Sequence, residues 1–242
     1  MDNNQIENQQ AIKIQKVFRG SNFRLKRLPN VMYAVQKCLK TTEFTFSTEN
    51  EDGRINSCVD EDLVIKILDR NFERRIMKPK IRMWFDLLIH DYRYGWLPVN
   101  IKTTTTLTSD NTGNLAMCVH AYTDIHLDLN NEKSYENGKM STMLIDCIKN
   151  KKYNFDNKKD YYFVVLNKTD SKDIIVNSVK GLKTLTPNIN NLPFQVCWDK
   201  NRNFKYENIN KKIKKFITCL QKPKPSWKES FMKDIREIEM SD

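Results

Sequence analysis

Two charged residues interrupt apolar runs in the middle of the chain. Asp86 stands within "MWFDLLI", Met83 to Ile89, and Lys102 follows "PVNI" and heads a run of four threonines, Thr103 to Thr106. Strand alternation sends Val99 and Ile101 to one face and Lys102 to the other. A carboxylate and an amine placed this way are either solvated or two parts of an active site, in which an acid, a base or a charge-neutralising cation acts on a bound group. Glu61 is a third candidate. It lies one helical turn before Val64, at the border of the apolar stripe Val64, Ile67 and Leu68 in "GRINSCVDEDLVIKILDRNF", and its role depends on what faces that helix.

The elements that would position these residues follow from pattern. "RMWFDLLIHDYRYGWLPVNIKTTTT" predicts a hairpin with its turn at Tyr94-Gly95. His90 and Asp91, just past the first strand, are auxiliary groups at its end. In the preceding helix Ser57 is the expected N-cap and Asp60 its capping-box partner. A helix over Val31 to Leu39 follows the break at Pro29. "NLAMCVHAYTDI" fits helix and strand equally by pattern. "YYFVVLNKT", Tyr161 to Thr169, is a buried strand by its β-branched and aromatic run, and "DIIVNSVKGL" and "LPFQVCWDK", Leu192 to Lys200, predict two more. Strands mixed with helices give an α/β or α+β class, a mixed central sheet flanked by helices.

Composition limits the partners. A net charge of +11 points to a polyanion, with nucleic acid ahead of an acidic membrane surface. No apolar run approaches the roughly 18 residues of a membrane span, and the polar, acidic start "MDNNQIENQQ" predicts no secretory signal. Six cysteines without a C-x-x-C pair argue for reduced thiols in an intracellular protein rather than a zinc site or a disulfide framework. The expected organisation is a polar tail with a basic amphipathic helix over residues 1–30, then one domain over 31–242 that ends in a basic helical region.

The basic helix carries a defined pattern. Ile14-Gln15, Arg19-Gly20 and Arg24 match I-Q-x-x-x-R-G-x-x-x-R at every defining position, so the segment resembles an IQ motif and implies a calmodulin-like partner. A basic helix packed on its own domain, or touching nucleic acid, is the other reading of the same residues.

Asp86 in "WFD", the hairpin and "PVNIK" ending in Lys102 resemble the core of the PD-(D/E)xK nucleases, as in type II restriction endonucleases. A glutamate-bearing helix precedes that core in the family, as Glu61 does here, and "SDNTGN" and "NLPFQVCW" are similar to stretches of restriction enzymes. The resemblance spans residues 53 to about 200. It implies a restriction endonuclease-like fold and Mg²⁺-dependent hydrolysis of phosphodiester bonds in double-stranded DNA. Asp86 would be the principal ligand of the ion, the Ile101 carbonyl would complete its shell, and Lys102 would orient or activate the attacking water. The family places Asp or Glu two residues before the lysine, where this chain has Asn100; Glu61 would then supply the missing carboxylate. A two-fold dimer suits palindromic DNA.

Near the C-terminus, "KNRNFKYENINKKIKKFITCLQKPKPSWKESF" interleaves lysines with Phe204, Tyr206, Phe216 and Trp227, a mixture suited to phosphates and exposed bases. Lys211 and Lys215, with Gln195 and Lys200 nearer the sheet, are the candidate nucleic-acid contacts. Ile209, Ile213, Phe216, Ile217 and Leu220 also trace a helical apolar stripe, which makes the aromatics core. Two functional classes follow: a metal-dependent endonuclease, or a non-catalytic binding module built on the IQ helix or on an inactive nuclease fold. A synthetic peptide spanning Gln10 to Leu28 is expected to bind calmodulin in a titration with or without Ca²⁺. No binding under either condition would remove the IQ reading.

Overall fold

The apolar runs of the middle of the chain pair into one sheet. In the computed structural model, which describes residues 27–47, 53–79, 83–112, 114–129, 135–156, 158–188 and 193–221, helices α1 (Asn30–Thr41) and α2 (Gly53–Phe72) precede strands β1 (Ile76–Met77), β2 (Leu87–Asp91) and β3 (Gly95–Thr104). A short β4 (Ser109–Asn111), helices α3 (Leu115–Tyr122) and α4 (Asn137–Lys149), strands β5 (Tyr162–Asn167), β6 (Asp170–Ser178) and β7 (Gln195–Cys197), and helix α5 (Ile209–Gln221) complete it. The IQ-like segment and Trp227 lie outside the described residues. Among the described residues no helix is long and apolar enough to cross a membrane.

The sheet runs in the order β1-β2-β3-β5-β6, and β4 and β7 form a separate two-stranded ribbon. All neighbours in the main sheet are antiparallel except β3 and β5, which run parallel from Val99↔Tyr162 to Thr104↔Asn167. A parallel pair demands a crossover, and α3 and α4 lie within it. The result is a mixed α/β architecture whose mostly antiparallel sheet has helices on both faces. One apolar cluster joins Val31, Val35 and Leu39 of α1 and Val64 and Leu68 of α2 to Leu87, Leu97, Val99 and Ile101. The other joins Phe163 and Val165 of the sheet to residues of α3, α4 and α5, with Trp198 fully buried among them.

Local chemistry explains most of the elements. Every residue of β5 is buried, as a strand covered on both faces requires. All of α3 is buried too, so its pattern has no period to read; Asn114 settles the matter as an N-cap whose side chain accepts from the Met117 amide at 3.2 Å. The stripe of α5 is core, with Phe216 completely buried and Phe204 packed against the α1/α2 cluster, so neither presents a free face to bases. Tyr206 is exposed.

Two expectations are corrected. Helix α2 starts at Gly53, which places Ser57 inside it rather than at its cap, and the buried Asp60 instead accepts from the Ser47 amide at 2.7 Å. Asp91 is structural. Pro29 provides no side-chain cap for α1. Asp91, sixty residues away, supplies one by accepting from the Val31 amide at 3.2 Å, while its other oxygen accepts from the Arg93 and Tyr94 amides of the hairpin turn. Gly95 closes that turn at a φ of 75°, where a side chain would be strained. His90 sits edge-on between the rings of Tyr92 and Trp96. Replacing the buried carboxylate leaves one helix end and one turn unsatisfied at once. Asp91→Ala is therefore expected to lower the unfolding free energy by about 2–4 kcal/mol in urea titrations; an unchanged midpoint would refute this account of the hairpin.

Candidate functional site

Asp86 is fixed by the strand beyond it. Its amide donates to the Val99 carbonyl at 2.9 Å, and its Oδ2 accepts from the Ile101 amide at 2.7 Å. The β2 ladder ends with Leu87 opposite Val99, so the carboxylate stands in for the next rung of the sheet. Ile101 thus serves the site through its N–H, while its side chain is wholly buried in the α1/α2 cluster. Continuing the register by one residue puts Asp86 opposite Asn100. Lys102, half-buried two residues further on, stands opposite Val165 of β5.

Glu61 meets this pair from α2. Burial pushes its carboxyl up to about 7, against the pull of the Lys102 ammonium, and the carboxylates of Asp86 and Asp110 raise it further while the Thr103 amide lowers it. Asp86 is raised by burial and held back by the Ile101 amide and by Lys102. Asp110 is raised by burial as well, with Lys102, the Trp198 indole and the Asn111 amide opposing. Lys102 is therefore the shared counter-charge of three carboxylates.

Asp110 is the residue that sequence reasoning missed. It sits on β4, opposite Val196 of β7, and its Oδ2 accepts from Trp198 Nε1 at 3.3 Å. The signal lay in the two stretches "SDNTGN" and "NLPFQVCW", which contain β4 and β7 and pair with each other.

Asn100 has a fixed orientation. The Tyr161 hydroxyl donates to the Trp84 carbonyl at 3.0 Å, so toward Asn100 it can only accept, and it takes a hydrogen bond from the Asn100 amide. That leaves the Asn100 carbonyl oxygen buried without a partner, in a residue only 9% exposed. Thr103 Oγ1 and Asp60 Oδ2 are likewise buried and unpaired. Glu61 and Asp86 line a cleft of about 490 Å³, with Asp62 and Lys66 of α2 beside Glu61 and Lys78 and Pro79 also on its walls.

Every donor in this set is an oxygen, which fits a hard divalent cation and not a soft one. The unpaired Asn100 oxygen, opposite Asp86 in the extended register, is of the same hard-donor class. The carboxylate oxygens do not yet meet at one point: among the described residues no three His, Cys, Asp or Glu side chains are spaced to share an ion.

The other sequence candidates lie apart or are engaged. Gln195 lies opposite Asn111, and its amide donates to Asn111 Oδ1 at 3.3 Å. Lys200 is exposed on the turn after β7. Lys215 is tied to the Lys183 carbonyl at 2.7 Å and to Glu207 at 2.8 Å, so it anchors α5. Lys211 is exposed and borders, with Lys214, Leu185 and Pro187, a shallow groove of about 340 Å³. Compared with known proteins, the chain matches no family and no curated sequence.

The raised Glu61 carboxyl makes stability depend on pH with a definite sign. A folded-state value near 7 against the ordinary 4.5 contributes stability below about 4.5, and that contribution is lost as pH rises through 7. Glu61→Gln removes this dependence. Relative to the native chain, the variant should gain on the order of 1–2 kcal/mol between pH 5 and pH 8 in denaturant titrations, after allowance for solvent screening. An equal difference at both pH values would mean that Glu61 does not occupy this environment.

Proposed function

We propose that this protein is a Mg²⁺-dependent DNA endonuclease of restriction type, with a restriction endonuclease-like fold. The observation that carries the reading is that Asp86, locked by the Ile101 amide, and Glu61 line one cleft, with the Lys102 ammonium acting on both carboxyls. Support also comes from the order of elements, since a glutamate-bearing helix, an antiparallel hairpin and later strands are what the resemblance to PD-(D/E)xK nucleases implies. The net charge of +11 suits a polyanionic substrate.

Asp86 and Glu61 would hold the ion, with the Asn100 carbonyl oxygen as a neutral third donor. Bound there, Mg²⁺ would offset charge on the phosphate and make a water more acidic. Asp86 is held rigid by the Ile101 amide, so its position costs no reorganisation during reaction. Glu61 would give up its proton on taking the second acidic place, so cation binding would release a proton and tighten as pH rises toward about 7, levelling off above it. Lys102 orients the attacking water and donates to a phosphate oxygen as negative charge develops. Asp110, oriented by Trp198, keeps the Lys102 amine directed into the site.

Asn100 in place of an acid favours a second reading, a nuclease fold that binds without cutting. One experiment separates the two. The purified full chain with Mg²⁺ should cleave a pool of varied duplex DNA, and Asp86→Ala and Lys102→Ala should each lower the rate at least roughly a hundredfold while keeping the native circular dichroism spectrum. Uncut DNA with Mg²⁺ and with Mn²⁺, from the native chain and both variants alike, would leave only the binding reading.

A further inference from the structure

Helix α2 is apolar on two opposite sides. Val64, Ile67 and Leu68 face the sheet and are buried, yet Ile55, Val59 and Leu63, spaced four residues apart on the outer side, are 50%, 50% and 36% exposed. A helix with apolar residues all round is ordinarily covered all round. The outer stripe continues through Lys66 and Arg70, both exposed, with the exposed Asp62 along its edge. Among the described residues Asp62 and Lys66 enter no ion pair, although they lie one turn apart.

We infer that the outer face of α2 is an interface with a second copy of this chain, the two helices packing antiparallel about a two-fold axis beside Leu63. The order of residues along the stripe favours that occupant. A two-fold contact must be self-complementary, residue i of one copy meeting j of the other and j meeting i. Antiparallel pairing centred between Asp62 and Leu63 sets Ile55 opposite Arg70 and Val59 opposite Lys66, each twice, and brings Leu63 against its own copy. The aliphatic stems of Arg70 and Lys66 cover the two exposed apolar side chains, and the ammonium of Lys66 reaches Asp62 of the second copy. Charge is thus matched inside the contact, although the whole chain carries +11. The stripe from Ile55 to Arg70 is about 22 Å long, a contact at the small end of stable interfaces, so the dimer forms at roughly micromolar concentration. Because the axis runs perpendicular to both helices, the flank of α2 that lines the cleft, Cys58, Glu61 and Ile65, points to the same side in both copies. The two clefts then open side by side.

Sedimentation equilibrium of the purified full chain, at about 100 mM salt so that exposed ion pairs are not fully screened, tests this pairing. The native chain is expected to pass from monomer to dimer between about 1 and about 100 µM. Leu63→Glu, at an exposed position, should keep the circular dichroism spectrum and weaken dimerisation at least roughly tenfold. Asp62→Lys and Lys66→Asp, which set like charges opposite one another, should each weaken it roughly three- to tenfold. An equimolar mixture of those two charge variants should recover native dimerisation, since each copy then offers the charge the other needs. An ion pair within one helix cannot produce that recovery. A native chain that stays monomeric at about 100 µM, variants that dimerise as it does, or a mixture no better than its components would each overturn the inference. None of these results bears on the nuclease reading, which cleavage of duplex DNA tests separately.

Discussion

Strand β3 changes partner at Val99, with Gly95 to Val99 antiparallel to β2 and Val99 to Thr104 parallel to β5, and the two ladders together fix the alternation of its residues. Val99 and Ile101 enter the cluster under α1 and α2, which leaves Asn100 and Lys102 for the opposite face. A slip of one residue would drive the lysine into the aliphatic core and expose Ile101. The Asp86 carboxylate adds a lock by accepting the Ile101 amide just where the β2 ladder stops. The same hydrogen bond that completes the sheet therefore orients the acid, and the fold and the site share one backbone register.

That arrangement is held against a local cost. Buried polar atoms without partners are rare in folded proteins because each forfeits its hydration. Here Asn100 Oδ1, Thr103 Oγ1 and Asp60 Oδ2 lie on β3 and α2, Trp84 Nε1 belongs to the residue whose carbonyl accepts from Tyr161, and His120 Nδ1 lies on α3. Asn201, also buried, is fully engaged by contrast: it accepts from the Lys183 and Thr184 amides and donates to the Cys197 carbonyl. Three of the five such atoms among the described residues lie on β3 and α2, the elements that carry Asn100 and Glu61.

The parts legible in the sequence were those written in local pattern. The hairpin, the all-buried β5 and the stripe of α5 each declare themselves within a dozen residues, and Asp86, Lys102 and Glu61 could be singled out because each interrupts or borders such a pattern. What long-range contacts decide was not legible. The capping role of Asp91 depends on α1 folding back over the sheet. Helix α4 mixes polar and apolar residues behind an N-terminus with no side-chain cap, and it was not anticipated. Asp110 lies on a three-residue strand, too short to show a period, whose partner is far along the chain.

The β4–β7 ribbon has a consequence for when the site comes into being. During synthesis from the N-terminus, α2 and the hairpin that carries Asp86 and Lys102 are made well before β7. The indole that orients Asp110 belongs to Trp198, just after β7. A chain clipped before β7 lacks Trp198 and α5, and so loses part of the second core cluster together with the group that orients Asp110. The ribbon thus ties Asp110 to a strand and an indole made long after the rest of the cluster.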